Sequence, residues 1–310
     1  MTERIVVTGG AGFIGSHLVE RLASDTTEIL VLDTEANGDR SLLDIDPQFE
    51  SVDIRDQALE SILTEFDPDT IYHLAALHYI PYCNANPEEA FEVNVMGTRN
   101  ILNVARQLDS LSNIVFASTA AVYPPRDEAN HESTTTGPMD IYGRTKLIGE
   151  DLCRLFAQET NVSITAARLF NVYGPNETNE HLIPAILQQV RAGRRDIELG
   201  NLSPKRDFIH VDDAARALEC LGTQFKGTFE PYNIGTGDPY SVREVVEETS
   251  AALDESITIT QDDDRTRESD RPHLEADVSK LTTDFAWEPH VNFREGLREL
   301  LTQNREVLVT

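Results

Sequence analysis

Lysine is nearly missing from this sequence: Lys146, Lys205, Lys226 and Lys280 are all of it, so arginine carries most of the 26 basic side chains. Against these stand 54 acidic residues, giving a formal net charge of -28 and a pI near 4.5. Such a field repels nucleic acid and anionic membrane surfaces, so neither is expected as a partner. The acidic residues are spread along the chain, which argues against a disordered acidic arm. Cysteine is scarce too. Cys83, Cys153 and Cys220 are odd in number, far apart and without paired metal-ligand spacing, so they read as buried small apolar side chains. The eight histidines are scattered, and no metal site is expected. No run approaches the ~18 to 20 apolar residues that span a bilayer, and "MTERIVV" lacks the basic head and apolar core of a secretion signal. The expectation is a soluble, cytoplasmic protein.

What is present is a regular alternation. "RIVVT", "EILVLD", "TIYHLAAL", "NIVFAST" and "SITAARLF" are continuous apolar runs, the pattern of strands buried on both faces. Between them "FIGSHLVERLAS", "PEEAFEVNVMGTRNILNVARQLD" and "IYGRTKLIGEDLCRLFAQET" carry apolar residues at helical spacing. Strand and helix in succession predict an α/β fold with a parallel sheet and right-handed crossovers. From about Asn171 the rhythm loosens into shorter pieces with more Gly, Pro and charge, which fits a smaller second lobe.

The glycines cluster where the first strand turns into the first helix. In "TGGAGFIGSHL", Gly9, Gly12 and Gly15 have the spacing G-x-x-G-x-x-G. A pyrophosphate can rest on backbone N–H groups and a helix N-terminus only where no Cβ intrudes. Asp33 closes the second strand, where a carboxylate meets the adenosine ribose hydroxyls and repels a 2′-phosphate, so NAD is favoured over NADP. Further on, Tyr142 and Lys146 in "DIYGRTKLIGE" are four apart on a helix and rise from one face. An ammonium close to a phenol favours the phenolate, which makes tyrosine a usable acid–base group. The preceding strand ends in Ser118 and Thr119, either of which could relay a proton or hold a substrate oxygen.

Together with "YHLAAL", "NVMGT", "STAAVY", "RLFNVYGP", "RDFIHVDDAARA" and "RESDRP", these motifs resemble the extended short-chain dehydrogenase/reductase superfamily, in its nucleotide-sugar epimerase and dehydratase branch. The resemblance implies a Rossmann-type doubly wound sheet for NAD over residues 1–170 and a smaller C-terminal α/β substrate domain over 171–310, with segments near 205–235 returning to the first domain. It implies that Phe13 and Ile14 complete the cofactor loop, that Asp53 and Ile54 flank the adenine, that Leu74, Ala75 and Ala76 line the dinucleotide, and that Asn94 supports that side. Thr119, Tyr142 and Lys146 become the reactive group. Asn171, Arg206 and Arg267 face the substrate diphosphate, Asp270 a ribose, and His181 and Leu182 the nucleotide or sugar. A UDP-sugar is the implied substrate and a homodimer the implied assembly, joined through the Tyr142 helix and the helix around Asn94 to Gln107. The acidic, lysine-poor composition resembles that of proteins from salt-loving microbes.

Departures narrow the branch. The 4,6-dehydratases of this family carry an Asp-Glu pair after the threonine, where Ala120 and Ala121 stand here, so epimerisation at C4 is favoured over elimination. A 4-ketoreductase using the same residues, another nucleotide-sugar epimerase or dehydratase, and a non-catalytic NAD-sensing protein are the alternatives. Pro124 replaces a usual glycine, His181 a usual asparagine, His78 stands near a usual lysine, and Leu274 falls near a position that limits pocket size in the galactose epimerases.

Overall fold

The computed structural model describes residues 2–177, 179, 181–262 and 271–302. Its first half runs β1 (Glu3–Thr8), α1 (Phe13–Leu22), β2 (Thr27–Asp33), β3 (Gln48–Ser51), α2 (Ala58–Phe66), β4 (Thr70–His73), α3 (Ile80–Ala85), α4 (Pro87–Phe91), α5 (Thr98–Ala105), β5 (Asn113–Thr119), α6 (Ile141–Glu159) and β6 (Ser163–Leu169). The second half runs β7 (Asn171–Tyr173), α7 (Leu182–Arg191), β8 (Asp196–Leu199), β9 (Lys205–His210), α8 (Val211–Gln224), β10 (Phe229–Ile234), β11 (Pro239–Ser241), α9 (Val242–Leu253), β12 (Thr258–Gln261), β13 (His273–Leu274), α10 (Ser279–Phe285) and α11 (Phe293–Thr302).

Seven parallel strands form one sheet in the order β10-β6-β5-β4-β1-β2-β3. This is the doubly wound Rossmann arrangement that the alternation predicted, with one strand added at the β6 edge. Every residue of β5 is buried, because helices cover both faces. One face packs Leu59 and Leu63 of α2, Ile101 and Leu102 of α5, and Cys153 and Phe156 of α6. The other packs Leu18 and Leu22 of α1, Leu218 and Leu221 of α8, and Leu281 and Trp287 from the C-terminal stretch. One strand expectation needs correction, and one strand was not expected. "TIYHLAAL" is strand only to His73, and the edge strand β3 was not legible because "QFES" is mostly exposed and carries no apolar run.

Strands β7, β9, β11 and β13 form a second, mixed sheet, and β8 pairs with β12. Helices α7, α9 and α11 close a separate core around Ile186, Ile197, Val245 and Leu297. Among the described residues no helix is long and apolar enough to cross a membrane.

A polar network is sealed beneath the C-terminal end of β5. Glu150 and Arg168 pair at 2.7 Å, with side chains 0% and 3% exposed, and Ser118 donates to Glu150 at 2.5 Å. Arg168 also donates to the Tyr123 hydroxyl at 2.8 Å and the Glu132 carbonyl at 3.1 Å. Low dielectric strengthens such bonds and makes an orphaned partner costly. The network fixes β5, β6 and α6 to one another, and so fixes the site above it.

Candidate active site

The C-terminal ends of β1, β2, β4, β5 and β6 open into one cleft of ≈ 1460 Å³. It lies where the strand order reverses beside β1 and β4, the place where open α/β sheets hold ligands. At one end Gly9 has φ +71°, which glycine adopts without strain, and a Cβ there would lie 2.8 Å from the Ala75 backbone nitrogen. A Cβ on Gly15 would lie 2.1 Å from the Gly9 carbonyl oxygen. The loop therefore folds flat onto α1, whose N-cap, Gly12, offers no side-chain cap. First-turn N–H groups lack partners within a helix. Donors and the positive end of the helix dipole thus face the cleft, as a pyrophosphate requires. Phe13 and Ile14 line it beside them. Asp33 lines it too, its Oδ2 accepting from the Ala11 N–H at 3.0 Å and its Oδ1 from the Glu35 N–H at 2.8 Å.

Asp53 and Ile54 form the far wall, with Leu74, Ala75 and Ala76 where the chain leaves β4. Arg55 donates to both Asp53 oxygens, at 2.9 and 2.6 Å, and holds that carboxyl below the ordinary carboxylate range. Asn94 stands behind this wall, not on it. Its Oδ1 accepts from the Leu77 N–H at 2.8 Å, and its Nδ2 donates to the Leu77 carbonyl at 2.8 Å and the Thr145 hydroxyl at 3.0 Å. It ties the loop after β4 to α6 from Glu92–Gly97, a π-helical stretch between α4 and α5. Single-turn widenings of this kind collect at functional sites. The expected single helix is interrupted there.

Thr119, Tyr142 and Lys146 come together on the wall where β5 meets α6. The approach is this close because a Cβ on Gly143 would lie 2.4 Å from the Ala121 carbonyl oxygen. Asp140 caps α6, its Oδ1 accepting from the Gly143 N–H at 2.7 Å. Burial pushes the Tyr142 phenol well above its ordinary pKa; a hydrogen bond with Thr119 draws it down, and Cys83 and Asp140 push it further up. The expected pull of Lys146 on the phenol is not among these influences. The ammonium sits 4.8 Å from the centroid of the Phe116 ring, toward the sheet, and loss of water brings its pKa down to about 8. Ser118 is committed to Glu150, which leaves Thr119 as the hydroxyl beside Tyr142.

At the other end Asn171, Arg206 and Leu274 stand on adjacent strands, β13 pairing Leu274 beside Arg206 and β7 pairing Asn171 beside Phe208. Arg206 Nη1 donates to the Lys205 and Arg271 carbonyls, both at 2.7 Å. The neighbouring Asp207 is fully buried and turned away. It accepts from the Thr236 N–H and hydroxyl at 2.8 and 2.7 Å, the Gly237 N–H at 2.8 Å and the Ala276 N–H at 3.0 Å. His181 heads α7 and lines the cleft, with its Nδ1 2.7 Å from the Glu177 carboxylate. His78 lies across from it, its Nε2 2.9 Å from the Asn179 amide nitrogen. Leu182 does not line the cleft and packs against the small-lobe core. Arg267 and Asp270 lie outside the described residues.

Residues 5–235 match the model of the NAD dependent epimerase/dehydratase family. The chain belongs to this family. It is 35% identical to a UDP-glucose 4-epimerase of Halalkalibacterium halodurans, covering 92% of this chain and 90% of that one. It is also 32% identical to a dTDP-glucose 4,6-dehydratase of Neisseria gonorrhoeae, over 96% and 94%. The solved NAD complex of a Thermus thermophilus UDP-glucose 4-epimerase superposes with a TM-score of 0.85 at 31% identity, over 95% and 96%. NAD is the cofactor of this family, and the flat glycine loop, open helix end and Asp33 fit it. Similarity of this degree spans epimerases and dehydratases alike.

Within this family member, sequence reading missed two residues of the site. Arg271 and Asp140 both line the cleft, with side chains 10% exposed, and they pair at 3.2 Å. Arg271 Nη2 also donates to the Ala121 carbonyl at 3.0 Å. In "RTRESDRP" the resemblance marks Arg267 and leaves the last arginine without a role, and Asp140 entered only as the first residue of "DIYGRTKLIGE".

Proposed function

We propose that this enzyme interconverts a nucleotide-hexose, UDP-glucose or a close relative, and its C4 epimer through a 4-keto sugar. The carrying observation is that Thr119, Tyr142 and Lys146 meet in the cleft while the two residues after Thr119 are alanine. Elimination of water needs an acid or base near C5 and C6. The nearby Asp140 carboxylate is already committed to Gly143 and Arg271.

When bound, NAD supplies the acceptor for the C4 hydride and returns it. Tyr142 takes the proton from the 4-hydroxyl, and Thr119, hydrogen-bonded to it, holds O4 or passes the proton on. Two sugar orientations must be served by one phenol, which is where a second hydroxyl is needed. Arg206 holds the diphosphate with Asn171 beside it, and Arg267 and Asp270 complete the nucleotide grip. A guanidinium suits a diphosphate through its fixed fork of donors. Binding energy from the unreacting nucleotide retains the ketone while it turns. Exposed Phe91, Met96 and Leu155, on the α4–α5 stretch and α6, support a homodimer seam.

Replacing Tyr142 with Phe tests this reading. Turnover of UDP-glucose and UDP-galactose is expected to fall by at least ~10³-fold, the upper span of general acid–base catalysis. Unchanged turnover overturns the assignment, and stoichiometric consumption of added reduced cofactor by the wild type assigns a ketoreductase instead.

A further inference from the structure

We propose that the Arg271–Asp140 pair is a positioning clamp that couples the strand bearing Arg206 to the helix bearing Tyr142 and keeps the Asp140 carboxylate from opposing the phenolate. The inference rests on the proposed role of Tyr142. Asp140 is bifunctional: one oxygen caps α6 and the other accepts from Arg271. Arg271 in turn bridges Asp140 to the Ala121 carbonyl, two residues beyond Thr119, while its own carbonyl accepts from Arg206. The Arg271 guanidinium thus bridges the Ala121 backbone and the Asp140 side chain, beside the two segments that carry the reactive group, while the Arg271 backbone carbonyl is held by the arginine of the sugar end. Its Nε is sealed from solvent without a partner among the described residues, so they do not hold the side chain by complete hydrogen bonding. Leaving a buried donor unmatched is costly, and the pairing with Asp140 offsets that cost.

The electrostatics agree with the geometry. The groups acting on the Tyr142 phenol are Thr119 from β5, Cys83 from α3 and Asp140 at the head of its own helix, with Arg271 paired to Asp140; Lys146 lines the same cleft but sits over Phe116. Asp140 disfavours the phenolate. A cation paired with that carboxylate cancels part of the opposition, whereas a bare carboxylate in a partly dry cleft exerts it in full.

The two partners therefore have opposite electrical effects on one phenol, which a purely structural role would not produce. Arg271→Met keeps the backbone carbonyl that receives Arg206 and strips the cation. It is expected to raise the Tyr142 pKa by about one unit, to lower kcat roughly tenfold below the phenol pKa, and to change KM for the nucleotide-sugar by less than about threefold. Asp140→Asn keeps a competent helix cap and removes the anion, so the phenol is expected to titrate lower than in wild type. The double variant is expected to return toward wild type, and Arg271→Lys to lie between wild type and Arg271→Met. The readout is the ultraviolet absorbance titration of phenolate, taken as the difference from each variant's Tyr142→Phe counterpart, beside the pH profile of kcat. Shifts of the same sign in both single variants, or no shift in either, overturn the proposal. The titration needs no substrate, so opposite shifts in a protein that turns over no UDP-sugar would uphold the clamp and refute the proposed reaction.

Discussion

The two ends of the cleft are built by different means. The cofactor end is made of backbone: Gly9, Gly12 and Gly15 strip side chains from a loop so that it lies on α1, and its charges are Asp33, Asp39 and the Asp53–Arg55 pair on the wall. The reacting and sugar end is made of side chains, and its cations are Lys146, Arg206 and Arg271, with the carboxylates Asp140 and Glu177 held by Arg271 and His181. A site that offers N–H groups through a steric void fails when one methyl enters. A site that offers buried cations carries their desolvation as a standing cost to stability. The comparison thus predicts that damage at the first end is steric and abrupt, whereas at the second it is electrostatic and follows pH.

The abrupt case is Gly15→Ala. Its Cβ would sit 2.1 Å from the Gly9 carbonyl oxygen and 2.7 Å from the Gly10 Cα, both backbone atoms with no flexible end to swing aside. The loop must lift from α1, and NAD affinity is expected to fall at least ~100-fold, about 2.7 kcal/mol. Titration calorimetry on protein freed of cofactor reads it. Affinity within about threefold of wild type would show that the loop does not depend on contact this close.

The same division decides what was legible in the sequence. Backbone devices leave local signatures, so the glycine spacing and Asp33 could be read within 25 residues of one another. The pair Tyr142 and Lys146 was legible for the same reason, being one helical turn apart. Arg271 and Asp140 meet across 131 positions, and no local pattern reports that meeting. The resemblance put Leu74, Ala75 and Ala76 on the cleft, where they stand, but the apolar run made them part of the strand as well, because apolar lining and apolar core look alike in one dimension. Leu182 was misplaced by adjacency: neighbouring positions on a helix face different ways, so His181 reaches the cleft while Leu182 packs inward. The phenolate account of Tyr142 assumed that helical spacing sets where an ammonium points. Here Lys146 lies over Phe116 instead.

Lys146 provides the electrostatic case. Its pKa is lowered from 10.5 to about 8 by burial. Below about pH 8 both folded and unfolded chains carry the proton, and the fold bears the whole desolvation cost, on the order of 3 kcal/mol. Between about 8 and 10.5 the unfolded chain binds more protons than the folded one, so stability rises with pH across that window. Lys146→Met removes the charge and nearly keeps the volume. In the absence of cofactor it is expected to unfold ~1–3 kcal/mol harder at pH 7, with the gain shrinking as pH climbs through the window. Chemical denaturation of both proteins at several pH values measures this. A gain independent of pH would mean that the ammonium is hydrated in solution.

The smallest effect per group lies outside the cleft, on the surface that gives the chain its charge of -28. With 54 acidic against 26 basic residues, at least 54 − 26 = 28 acidic groups have no cation to pair with, and their mutual repulsion favours expansion. Salt acts on this term directly, since the Debye length falls from about 10 Å at 0.1 M to about 3 Å at 1 M. The thermal midpoint is therefore expected to climb by several degrees as potassium chloride rises to molar levels, a gain of about 1–2 kcal/mol for a chain of this size. Buried charges are screened far less, so the Lys146→Met gain at pH 7 is expected to be nearly the same at low and high salt. A midpoint highest in dilute buffer would remove the case for an acidic surface suited to brine. A Lys146→Met gain that vanished in salt would place that ammonium with the surface charges instead of the cleft.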